Sequence, residues 1–199
     1  MTEGVIRKSY GPPPLSEDEI FRYAGCGRPA LEDRALLKSC LDEVLPLLSY
    51  RVAYRRLPLI VAGDCCDFFL FSLRSEKLSL RLQNCTEGIV FAATVGFEID
   101  RLIAKYSRIS PARGLMLQAI GSERVEALCD AFCEEMAVSE KKDLTPRFSP
   151  GYGDLPLEAQ RKVDSVLNLS GTVGIYLNES LLMSPSKSVT AFLGIRDQG

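Results

Sequence analysis

The sequence predicts an α+β fold, with helices mixed among short strands in a single unit spanning residues 1–199. Three observations carry that expectation. Segments with apolar residues every three or four positions alternate with short runs rich in Val, Phe, Ile and Tyr. That alternation changes character in the last third, which reads as a loop, one helix and short strands. The chain has 199 residues, 46% apolar and 25% charged, and a chain of this size buries about 70% of its unfolded surface, enough for a core without disulfides or metals.

Taken in order, the elements follow from local chemistry. After the proline-rich stretch Gly11 to Pro14, Ser16-Glu17-Asp18-Glu19 has capping-box spacing and predicts a short helix ending near Gly25. Leu31, Ala35, Cys40, Leu41, Val44 and Leu45 share one helical face, with Pro46 at the expected stop. Tyr50 to Tyr54, Asp67 to Leu73 and Gly88 to Val95 read as strands. Ser75 to Cys85 fits either a strand, by the alternation of Leu78, Leu80 and Leu82, or a helix, by its length; we read it as a helix. Phe97 to Tyr106 and Ala112 to Met136 have helical spacing. Lys141 to Pro156 is a loop with three prolines and two glycines, and Pro156 suits the first turn of a helix over Leu157 to Leu167. The last segment, GIYLNESLLMSPSKSVTAFLGI, reads as short strands joined by a Ser/Pro turn.

Composition excludes several functions. There is no histidine, so the chain cannot build a Ser-His-Asp or Cys-His site, a histidine metal site, or its own histidine ligand to a corrinoid. Formal net charge is −2, which gives no overall positive field to attract nucleic acid or an anionic membrane. Seven cysteines without a CxxC pair suggest reduced thiols in a cytoplasmic protein. No signal-peptide core and no apolar run of about 18 residues is present, so neither secretion nor a membrane span is expected. Cys129 and Cys133, four apart on a predicted helix, have the spacing for a soft metal, but buried thiols are the commoner outcome and no metal site is expected.

The densest local pattern is Arg147-Phe148-Ser149-Pro150-Gly151-Tyr152. A proline and a glycine let the backbone turn tightly against a ligand, and Arg147 offers a planar fork for a carboxylate. The same six residues also fit an ordinary loop with Arg147 in a surface ion pair.

RFSPGYGDLPLEAQRKVDSVLNL followed by GIYLNESLLMSPSKSVTAFLGI resembles the C-terminal reactivation (activation) domain of cobalamin-dependent methionine synthase, in a stand-alone form. The resemblance rests on the RxxxGY residues Arg147, Gly151 and Tyr152 with Pro150, then on Leu177, Glu179, Ser180, Met183, Pro185, Ser188 and Val189. It is clear from Pro146 to about Ile195 and fainter over the acidic helix Glu123 to Ala137, in a segment to about 140 that matches less clearly than 141–199. It implies an activation-domain-like fold with a small, mostly antiparallel sheet, and a site for S-adenosylmethionine. The site residues it implies are Arg147, Ser149, Pro150, Gly151 and Tyr152, with Asp130 aligned to an acidic contact of the family. Where the family has a glutamate six residues before the motif arginine, this chain has Lys141, and the resemblance implies the adjacent Glu140 as the cofactor contact after a one-residue shift.

The implied work is to assist reductive methylation of cob(II)alamin on a separate corrinoid protein, or on a methionine synthase lacking its own activation domain. A reductant protein would supply the electron, and cobalamin would come only through the partner. No catalytic residue is assigned, because this chain alone holds no complete active site. The alternative reading is a binding module that docks on a corrinoid protein or methyltransferase without using S-adenosylmethionine.

Overall fold

The computed structural model describes residues 4–196. Its centre is an antiparallel sheet of four strands in the order β1 (Ile6–Tyr10), β2 (Tyr50–Pro58), β6 (Cys85–Thr94) and β9 (Ser188–Arg196). Strand β6 pairs with β2 on one side and β9 on the other, and its residues from Gly88 to Thr94 are all buried. Burial on both faces explains the unbroken apolar run Ile89-Val90-Phe91-Ala92-Ala93. A further extended segment borders β9 through bridges Leu144 to Ile195 and Phe148 to Phe192.

Each face of the sheet carries its own core. Val52, Tyr54, Ile89, Phe91, Leu193 and Ile195 pack under α1 (Glu17–Tyr23), α2 (Leu31–Val44), α4 (Glu98–Ile109) and α5 (Pro111–Glu140), where the Phe91 and Phe132 rings lie 4.8 Å apart. On the other face Ala53, Val90, Ala92 and Phe192 meet α3 (Glu76–Leu82), α6 (Ala159–Leu167) and α7 (Leu169–Thr172). They also meet a small sheet of β3 (Ile60–Ala62), β4 (Cys65–Asp67) and β5 (Ser72–Arg74). A last short pair joins β7 (Tyr176–Leu177) to β8 (Met183–Ser184).

Several expectations needed correction. The strand expected over Asp67 to Leu73 is two strands around a tight turn. The Asp67 carboxylate accepts from the Phe69 N–H at 2.8 Å, Phe68 N–H donates to the Phe71 carbonyl at 2.9 Å, and Phe69 takes φ 67°. The capping box at Ser16 is half formed: Ser16 Oγ accepts from Glu19 N–H, but Glu19 pairs with Arg22, and the Ser16 N–H donates to Glu123 instead. The ambiguous segment after Ser75 is the helix α3, with Leu78 and Leu82 buried four apart and Leu80 64% exposed. The chain's final strand, β9, is nine residues long rather than short. The helix expected from Leu157 begins at Ala159.

Helix α3 is held at its start by a residue far along the chain. Asp154 accepts from Ser75 Oγ at 2.5 Å, from Glu76 N–H at 2.7 Å and from Lys77 N–H at 3.3 Å. The Ser75 hydroxyl first, and these backbone donors next, hold the Asp154 carboxyl below its ordinary value of 3.8. Below that value the unfolded chain binds more protons than the folded one, so the contribution is full above it and is lost as the pH falls through the lower, folded value. Asp154→Asn is expected to lower Tm at neutral pH, and the difference from wild type should shrink in acid. A pH-independent difference in thermal scans would contradict this account.

Candidate functional site

Arg147 and Phe148 are successive residues of the segment bordering β9, and their side chains go to opposite sides. Phe148 is buried in the core beneath α3 and α6. Arg147 reaches α5, donating from Nη1 to Asp130 Oδ1 and from Nη2 to Glu126 Oε2, each at 2.5 Å. Glu126 and Asp130 lie four apart on one helical face, so one fork spans both. Burial works against the Arg147 charge, but the Asp130 hydrogen bond and the nearby Cys129 and Glu126 outweigh it, and the guanidinium is held above its ordinary range.

The turn after Arg147 follows from its sequence. Tyr152 N–H donates to the Ser149 carbonyl at 3.2 Å, Pro150 is second, and Gly151 is third with φ 81°. That is the type II arrangement, which favours proline and requires a positive φ at those two places. A Cβ on Gly151 would also stand 3.2 Å from Leu157 Cδ1. Gly151→Val is therefore expected to cost about 1–3 kcal/mol from backbone strain. Urea denaturation should show it as a lower midpoint, with Gly151→Ala milder; an unchanged midpoint for valine would mean the turn does not need this backbone.

The Arg147 fork forms one wall of a cleft of about 430 Å³ between α1 and α5, lined also by Glu19, Tyr23, Glu123, Glu126, Asp130 and Glu134. Of these carboxylates, Glu123 is committed to the buried Arg124, while Glu126 and Asp130 have oxygens turned to the fork. The cleft is thus strongly acidic with a single guanidinium at its edge. Its size is that of a small-molecule pocket.

The sequence-predicted site residues divide between several places. Arg147 and Asp130 are brought together. Ser149 and the buried Pro150 form the first half of the turn, and Gly151 the second. Tyr152 is 66% exposed, stands edge-on to Phe148 with centroids 5.6 Å apart, and borders a different groove with Lys77 and Arg81. Glu140 ends α5 and pairs with Arg56 Nη1 at 2.6 Å. Ten residues along the helix separate it from Asp130, roughly 15 Å at 1.5 Å per residue. Sequence reasoning missed Glu126, although the spacing of Glu126, Asp130 and Glu134 along one helix marks an acidic stripe.

The second family-like block reaches the same helix. Ser186 donates from its N–H and Oγ to Asp100 at 2.7 and 2.6 Å, and Lys187 Nζ donates to Ser122 Oγ at 3.0 Å. Ser122 lies one turn before Glu126, so each block contacts α5, one turn apart.

The chain aligns over 98% of its length with 79% of the crystal structure of the MetH reactivation domain bound to AdoHcy, at TM-score 0.73 and 17% sequence identity. The fold is that of the MetH reactivation domain. At that identity the likeness to MetH is one of fold, and it agrees with the activation-domain-like fold expected from the Arg147 and Leu177 blocks. No protein-family profile and no curated protein matches the chain.

Cys40, Cys66, Cys85 and Cys129 are buried thiols, and Cys26, Cys65 and Cys133 are half-buried. Cys129 is wholly buried, and burial raises its thiol pKa along with that of Cys133. Burial likewise pushes Cys66 up to about 12. Among the described residues no three His, Cys, Asp or Glu side chains are grouped to hold a metal ion, and no helix is long and apolar enough to cross a membrane.

Proposed function

We propose that the chain binds S-adenosylmethionine in the cleft between α1 and α5 and presents its methyl group to a corrinoid carried by a separate cytoplasmic protein, supporting reductive methylation of cob(II)alamin there. The observation that carries this reading is the charge make-up of the cleft. S-adenosylmethionine has a sulfonium, an ammonium and a carboxylate, two cations to one anion. Glu126, Asp130 and Glu134 suit the cations, and Arg147 suits the carboxylate by a charge-assisted pair. The fold neighbour is the MetH reactivation domain bound to AdoHcy, a ligand whose amino-acid end is the same as that of S-adenosylmethionine but whose sulfur is neutral.

Methyl transfer from a sulfonium carbon needs alignment more than proton transfer, so a chain without histidine is suited to it. The residues of this chain bind and orient; the acceptor and the reductant belong to partners. A second reading has its own observation. Arg147 already spans two carboxylates, an arrangement that would also serve a docking module that never binds S-adenosylmethionine.

Calorimetric titration separates the two. Under the first reading S-adenosylmethionine binds, and binds more tightly than S-adenosylhomocysteine, because the acidic cleft favours the sulfonium charge. No heat with either compound would leave the docking module. A mixture with reductant and a cob(II)alamin-loaded partner should form methylcobalamin only when every component is present.

A further inference from the structure

The face opposite the acidic cleft carries a groove of reversed sign. It measures about 730 Å³ and is bounded by Lys77 and Arg81 of α3, by Arg196 at the end of β9, and by Leu80 and Tyr152. Lys77 and Arg81 are four apart and so project from one side of α3. Their cationic groups, like that of Arg196, make no ion pair among the described residues. In contrast, Arg147 on the other side of the same edge segment is doubly paired.

Between the cations the floor is apolar. Pro146 and Phe148 line it, while Leu80 and Tyr152 stand 64% and 66% exposed. Asp154, two residues beyond Tyr152, is occupied by Ser75 and the backbone at the start of α3. A chain of net charge −2 thus concentrates three cations around two exposed apolar side chains. Positive rim charges around apolar contacts complement a partner surface that sets carboxylates around an apolar side chain.

We infer that this groove is the docking surface for an acidic, leucine-bearing segment of a partner protein. The inference goes beyond ligand binding in the acidic cleft and does not depend on it. The cations project from two separate elements, α3 and β9, along an open groove, an arrangement fitted to an extended anionic segment rather than to one compact anion. Such a surface would draw the partner in by its field, so binding should weaken as salt rises.

The test uses a fluorescein-labelled peptide of glutamate–leucine repeats, followed by anisotropy at low salt, with a lysine–leucine peptide for comparison. The acidic peptide should bind the full chain and the basic one should not bind this groove. Lys77→Glu with Arg81→Glu should weaken binding at least tenfold. Arg161→Glu with Lys162→Glu, on the exposed side of α6, should leave it unchanged. Circular dichroism checks that both variants are folded. The inference is overturned if the acidic peptide fails to bind, if the α6 variant loses as much affinity as the α3 variant, or if the α3 variant loses none. It is also overturned if inorganic phosphate displaces the peptide where chloride of equal ionic strength does not, since the groove would then be a small-anion site. S-adenosylmethionine titrated into the α3 variant should bind as it does to wild type, which keeps this result separate from the fate of the cleft.

Discussion

Replacing Arg124 with alanine is expected to cost about 3–5 kcal/mol of stability, the range for breaking a buried ion pair from one side. Arg124 and Glu123 are 1% and 4% exposed. Arg124 donates to both Glu123 oxygens at 2.5 Å and to the carbonyls of Pro13 and Pro14 at 2.7 Å, while Glu123 also accepts from the Ser16 N–H at 2.9 Å. The pair therefore seats the proline-rich stretch and the start of α1 on α5. Removing the guanidinium strands a carboxylate and two carbonyls away from water. For a chain of this size each kcal/mol moves Tm by roughly 2–4 °C, so a fall of about 10 °C is expected. The double change Glu123→Leu with Arg124→Met should recover much of the loss, because an apolar pair carries no unpaired charge. If the single and double variants melt together, burial of the charge is not what makes Arg124 matter.

How much of this was legible in the sequence depends on how local each cause is. Helices α2, α4 and α5 were readable because their apolar residues repeat within each element. Strand β1, Ile6-Arg7-Lys8-Ser9-Tyr10, was missed because it is an edge strand: its inward residues are only half-buried, and what fixes it is pairing with β2 some forty residues away. The turn at Phe69 was hidden because a run of aromatics scores as strand, while the Asp67 side chain and a positive φ decide against it. Gly151 was legible, since proline followed by glycine states its own turn. The partners of Arg147 were half legible: Asp130 came from resemblance alone, and Glu126 needed the helical face to be drawn. No local pattern indicated that Tyr152 would face away from Arg147 or that Asp154 would cap α3, since both depend on how the loop after Phe148 folds back over β9.

Arg147→Ala is expected to weaken S-adenosylmethionine binding by about one to two powers of ten, with a fall in Tm of only a few degrees. A hydrogen bond to a charged group is worth roughly 1.5–3 kcal/mol, and each 1.4 kcal/mol is about tenfold in affinity. The stability loss should be small because Glu126 and Asp130 are 40% and 62% exposed and can return to water; pairs of that kind contribute about 0–1 kcal/mol each. Two effects oppose each other in this variant. Removing the guanidinium deletes the partner of the ligand carboxylate, yet it also frees two carboxylates to attract the ligand cations. Titrating both S-adenosylmethionine and S-adenosylhomocysteine resolves them, because the two ligands share the carboxylate and ammonium and differ at sulfur. Arg147→Ala should weaken both through the lost carboxylate partner, S-adenosylhomocysteine the more, because the freed carboxylates compensate only the ligand that carries the sulfonium. The double variant Glu126→Gln with Asp130→Asn should instead reduce the preference for the sulfonium, since the lost charges faced the cation. If Arg147→Ala lowers the preference for S-adenosylmethionine and the double variant leaves it fixed, the assignments of fork and carboxylates are reversed. If neither variant alters binding of either ligand, S-adenosylmethionine does not occupy this cleft.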